Sequence, residues 1–131
     1  MAKEPLCIDT DICVDFLRKK GHGVELLLSA FDSYDACITA ITAFELYHGH
    51  IKMNRKVLEI EGFLSQFKVI PFDFSASKTA AKIQAELDKK GKGIGLPDTL
   101  VAAVCLTNNT PLLTLNVKHF SRVPGLKLIQ P

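Results

Sequence analysis

Short apolar runs alternate along this chain with longer stretches of helical period, the pattern of βα units that build a mostly parallel sheet. The runs Leu6 to Asp9, Ala36 to Thr39, Lys68 to Phe72, Leu112 to Thr114 and Leu126 to Ile129 read as strands. Helices are predicted over Asp11 to Lys20, Val24 to Phe31, Ala40 to Arg55, Val57 to Phe67, Ser75 to Lys90 and Pro97 to Thr107. No repeat, low-complexity tract or linker breaks the alternation. The expectation is therefore a single α/β domain over residues 1–131, a three-layer α/β/α sandwich with a mostly parallel central sheet. In such sheets ligands bind outside the carboxyl ends of the strands, where strand order reverses.

Three carboxylates stand against the apolar pattern. Asp9 ends the run Leu6, Cys7, Ile8; Glu45 interrupts Ala43, Phe44, Leu46, Tyr47; Asp98 is the only charged side chain between Lys92 and Lys118. On a helical wheel Ile41, Phe44, His48 and Ile51 fall on one flank of Glu45 and Thr42, Leu46, Gly49 and Met53 on the other, which puts Glu45 inside the apolar arc. Each acid also has a structural reading. Asp9 would help Thr10 or Asp11 cap the following helix, Glu45 would pair with a buried Lys or Arg, and Asp98 would favour the positive end of its helix. Taken together they repel one another, and a hard cation such as Mg²⁺ or Mn²⁺ takes oxygen ligands of this kind. Such an ion polarises a phosphoryl oxygen and activates water, so no nucleophilic side chain is required. Asp11 is near enough to Asp9 to support the site, whereas Asp15 is expected to face solvent.

Composition narrows the classes. A hydrophobic content of 47% in 131 residues suits one real core and argues against disorder. A net charge of +2 is too small to hold nucleic acid by charge alone, although Arg18-Lys19-Lys20, Arg55-Lys56 and Lys89-Lys90-Lys92 offer local phosphate contacts. Cys7, Cys13, Cys37 and Cys105 lie in apolar runs without a CxxC pair, which predicts reduced core thiols and a cytoplasmic setting. No apolar segment approaches the length of a membrane span, and Met1 to Pro5 lead straight into a strand.

Other motifs carry less. Asp9-Thr10-Asp11 resembles the DxD of haloacid-dehalogenase-like phosphatases, but Cys13 stands where that motif wants Thr or Val, and the late acid pair is missing. A receiver domain would use Asp73 and Lys118, yet Asp73 with Ser75 reads more simply as a helix cap. Gly91, Gly93 and Gly95 follow a helix, which suits a C-terminal turn better than a phosphate cradle. His48 and His50 point to different faces, against a shared metal.

The segments Ile8-Asp9-Thr10-Asp11-Ile12, Thr39 to Leu46, Gly95 to Ala103 and Leu113 to Phe120, followed by Val123-Pro124-Gly125-Leu126, resemble in order and spacing the PIN-domain ribonucleases. Within them the likeness is to VapC-like toxins of toxin–antitoxin pairs. The resemblance implies a metal-dependent endoribonuclease in which Asp9, Glu45 and Asp98 hold Mg²⁺ or Mn²⁺, with Thr10, Asp11, Thr114 and His119 in support. It also implies an RNA substrate, a VapB-like antitoxin whose C-terminal segment covers the acidic groove, and a homodimer. The chain departs from the family in its closing segment, where a fourth acid is common but Asn116 and His119 stand. An Asn oxygen orients a ligand without adding charge, so a second ion would bind more weakly. A PIN-like module that binds protein without cleaving RNA is the alternative of a different class.

Overall fold

In the computed structural model, which describes residues 2–129, β1 (Pro5–Ile8), β2 (Asp35–Thr39), β3 (Lys68–Ile70) and β4 (Leu112–Leu113) form one sheet in the order β3-β2-β1-β4. All three pairings between these strands are parallel. The helices are α1 (Thr10–Arg18), α2 (Gly23–Ser33), α3 (Ala40–Lys52), α4 (Val57–Leu64), α5 (Phe74–Lys89), α6 (Leu96–Thr107) and α7 (Val117–Phe120).

Strand alternation divides the apolar residues between two cores. Leu6 and Ile8 of β1, with Ala36 and Ile38 of β2, pack among Ile12, Leu27 and Phe63 of α1, α2 and α4. Cys7 and Cys37 face the other way, with Ile83 of α5 and Val101 and Val104 of α6. The sheet is covered on both faces, giving the expected three layers. All four cysteines are buried and free, and burial pushes the Cys13 thiol up, which suits inert core packing. No helix among the described residues is long and apolar enough to cross a membrane.

Caps place the helices. Thr39 Oγ1 accepts the Thr42 N–H at 3.1 Å to start α3, and Asp73 Oδ1 accepts the Ala76 N–H at 2.9 Å to start α5, as Asp73 was expected to do. Asp15 is not the solvent-facing residue the sequence suggested. Its half-buried carboxylate accepts the Gly23 N–H at 2.9 Å and so ties the start of α2 to α1. A Cβ at Gly21, where φ is 102°, would approach Asp15 Oδ2 to 2.4 Å, so the turn requires glycine.

Three elements differ from the sequence pattern. The strand expected over Leu126 to Ile129 is reduced to one parallel bridge between Leu128 and Leu112, held by Leu112 N–H to Lys127 O and Ile129 N–H to Leu112 O. The segment after β4 forms the short α7, which periodicity did not reveal. The third strand stops at Ile70 because Pro71 has no N–H to donate.

Strand order reverses beside β1. The chain steps outward through β2 and β3, then returns to place β4 on the opposite edge of β1. The crevice outside the carboxyl ends of β1 and β4 is therefore the expected ligand position.

Candidate active site

Asp9 and Thr114 occupy that crevice, each directly after its strand. Asp9 is the N-cap of α1, with φ −73° and ψ 158°. Its Oδ1 accepts the Thr10 N–H at 2.9 Å, and its Oδ2 accepts the Thr114 hydroxyl at 2.7 Å. Asp9 itself is 5% exposed. Burial, then the neighbouring charge of Asp11, pushes its carboxyl up to about 7 despite these two hydrogen bonds.

Asp11, in the first turn of α1, is anchored from the segment that follows β4. Its Oδ2 accepts the Leu115 N–H at 3.2 Å and lies 3.4 Å from the Thr114 hydroxyl, whose proton is committed to the shorter Asp9 contact. Its Oδ1 is buried without a partner. Burial is the main cause raising its carboxyl above the usual range, and the Asp98 charge adds to it. Asp98 lies in the first turn of α6, at the helix end that favours an anion. Burial raises its carboxyl, while His119, with Nδ1 3.8 Å from Asp98 Oδ2, offsets part of the rise.

Glu45 enters from α3. Its Oε1 accepts the Thr10 hydroxyl at 2.6 Å, and Thr10 Oγ1 lies 2.9 Å from Thr42 Oγ1. One hydroxyl has one proton, so Thr42 donates to Thr10 and Thr10 to Glu45. Thr42 is a site residue that sequence reasoning missed; its signal was a hydroxyl three residues before Glu45 on the same helix face. The wheel also misjudged α3: the helix buries Thr42 and Leu46 but leaves Phe44, Ile51 and Met53 exposed. Glu45 is half-buried at the edge of an apolar cleft shared with Val14, Leu17 and Leu46, not at the centre of a covered face.

In the closing segment, Asn116 N–H donates to Thr114 Oγ1 at 2.9 Å, and the Asn116 amide nitrogen stands 2.8 Å from His119 Nδ1. Hydrogen bonds thus link Asn116, Thr114 and Asp9 in one group, with Asp11 tied to the adjoining Leu115, and Thr42, Thr10 and Glu45 in another. The backbone Thr10 N–H to Asp9 joins the two groups. Asp98 meets them through His119 and through its charge on Asp9 and Asp11.

Among the described residues, no group of three or more His, Cys, Asp or Glu side chains stands at metal-holding spacing. The donor set nonetheless fits a hard divalent cation by its chemistry. The donors are carboxylate oxygens, three of the acids are pushed toward protonation by burial, Asp9 also by the charge of Asp11 and both of these by that of Asp98, and Asp11 Oδ1 is a buried acceptor without a donor.

A parallel sheet with acids at its topological switch point defines the class to which the chain compares. The PIN domain family model matches residues 6–126, and the chain belongs to that family. Within it the similarity is to VapC proteins. The chain is 35% identical to Ribonuclease VapC of Rickettsia bellii over 131 residues, covering 95% of this chain and 94% of that one. It is 28% identical to the tRNA(fMet)-specific endonuclease VapC of Salmonella typhimurium over 124 residues, covering 92% and 93%. Among solved structures, DNA-bound VapBC from Salmonella typhimurium matches with TM-score 0.83 at 29% identity over 98% of each chain. VapBC2 from Rickettsia felis, bound to a promoter DNA fragment, matches with TM-score 0.82 at 29% identity over 95% and 97%. The haloacid-dehalogenase-like alternative falls with this assignment.

Proposed function

We propose that the chain is a VapC-type endoribonuclease, the toxin of a toxin–antitoxin pair, acting in the cytoplasm as a single-domain protomer of a homodimer with a VapB-like antitoxin as its partner. The names of its relatives and the toxin–antitoxin complexes that share its fold support the reading. The observation that carries it for this chain is the charge conflict in the crevice, where Asp9, Asp11 and Asp98 are all driven toward protonation with no basic side chain among the causes except His119.

In this reading Asp9, Glu45 and Asp98 would hold Mg²⁺ or Mn²⁺. When bound, the ion would supply Lewis-acid polarisation of the scissile phosphate and a water of lowered pKa. Thr114 and the Thr10 N–H fix both oxygens of Asp9. Thr10 orients Glu45, itself held by Thr42. Asn116 takes the fourth corner as a neutral group, and Asp11 and His119 support from behind.

The test is cleavage of a mixed-sequence fluorophore–quencher RNA by purified, antitoxin-free protein in Mn²⁺ or Mg²⁺, with EDTA and Asp9→Asn as controls. Cleavage that needs both the metal and Asp9 is expected, with a loss of at least a hundredfold in Asp9→Asn, of the order seen when one charge-stabilising group is removed. Folded parent protein that neither cuts RNA nor takes up Mn²⁺ by calorimetry would assign the chain to the protein-binding class instead.

A further inference from the structure

Phe44 directly precedes Glu45 on α3, and 64% of it is exposed. Its ring is stacked on that of His48 one turn along, with centroids 5.7 Å apart and planes 9° from parallel. Ile41, one turn earlier on this flank, packs against the core cluster that includes Val101 of α6. Phe44 and His48 continue the flank beyond that core, where the pair leaves a flat unsaturated surface beside a site acid. Cations gather at the carboxyl end of α3, where the acid Glu59 lies 3.7 Å from His50. Exposed Lys52 ends α3, exposed Arg55 and Lys56 follow, and Glu45, already engaged by Thr10, is the only acid between residues 44 and 58.

We propose that the Phe44–His48 stack is a platform for one unpaired base of the RNA, seating it next to the acid cluster while Lys52 and Lys56, at and beyond the end of α3, meet the adjoining phosphates. The inference rests on the endoribonuclease reading. Aromatic rings interleaved with cations are the chemistry that holds single strands, because each base has a π-face and each nucleotide a phosphate. The exposed cations at the carboxyl end of α3 favour a polyanion over a basic peptide segment there. Since stacking is tolerant of base identity, the platform positions the strand more than it selects a sequence. Phe44 is thereby a substrate-contacting residue outside the acid set.

The test uses a short single-stranded RNA with a fluorescent adenine analogue scanned along it, bound to protein carrying Asp9→Asn so that the strand stays whole. Stacking quenches the analogue at one position. Adding Phe44→Ala should abolish that quenching and weaken binding roughly tenfold, whereas Phe44→Trp should keep both. Because the ring is mostly exposed, circular dichroism should show the same fold in each variant. Unchanged quenching and affinity in Phe44→Ala would overturn the platform. So would sedimentation showing that Phe44→Ala dissociates a dimer of the parent, since the ring would then belong to a second copy. If the parent cleaves RNA while Phe44→Ala binds normally, the platform alone fails; if the parent neither binds nor cleaves RNA, the endoribonuclease reading fails with it.

Discussion

At the scale of single residues, the raised carboxyl of Asp9 makes a statement about stability. The folded state keeps that proton up to about pH 7, whereas the unfolded chain releases it near the ordinary 3.8. Between those values the folded protein binds more protons than the unfolded one, so metal-free stability from this group is fullest below about pH 4 and is lost as pH rises toward 7. At about 1.4 kcal/mol per pKa unit the loss is a few kcal/mol at most. Denaturant titrations in EDTA should show the parent losing stability relative to Asp9→Asn across this window; parallel curves would remove the effect. Asn retains the capping oxygen for Thr10 N–H, so the variant separates charge from helix start. Asp9, Glu45 and Asp98 stood out in the sequence because charge inside apolar runs is costly. Thr42 and the exact duty of Asp11 did not, because hydroxyl partners and the Leu115 backbone donor beyond β4 come within reach only once distant segments meet.

At the scale of elements, periodicity located six of the seven helices and the four paired strands, but it judged covering badly. The sequence of α3 is apolar on both sides of Glu45, yet Phe44, Ile51 and Met53 are exposed. A hydrophobic pattern reports which residues avoid water, not whether the covering surface belongs to the same chain. The last strand failed for another reason. β4 spans only two residues, too short an edge to build more than one bridge with the tail. Asp15 shows how a polar residue on a helix gains a structural duty from the turn that follows. Asp15→Ala should cost about 1 kcal/mol, as for loss of a helix cap, and lower Tm by a few degrees. Thermal melts should record this loss, and RNA cleavage at a temperature where the variant is folded should be unaltered.

At the scale of the whole molecule, the α/β class, the parallel sheet and a site outside the carboxyl ends of its strands were legible from the alternation of segments. Strand order was not, since the pattern does not say on which edge β4 returns. The completed site predicts a global response to metal. A cation bound only by the folded state raises stability by about 2.7 kcal/mol at a hundred times its dissociation constant. Mn²⁺ should therefore raise Tm in the parent and leave Asp9→Asn nearly unmoved; equal shifts in both would place the ion elsewhere. The bond from Thr114 to Asp9 spans 105 positions of the chain. Asp9 therefore gains its hydroxyl partner only when β1 and β4 have paired, so the candidate site forms together with the long-range contacts of the fold and not ahead of them.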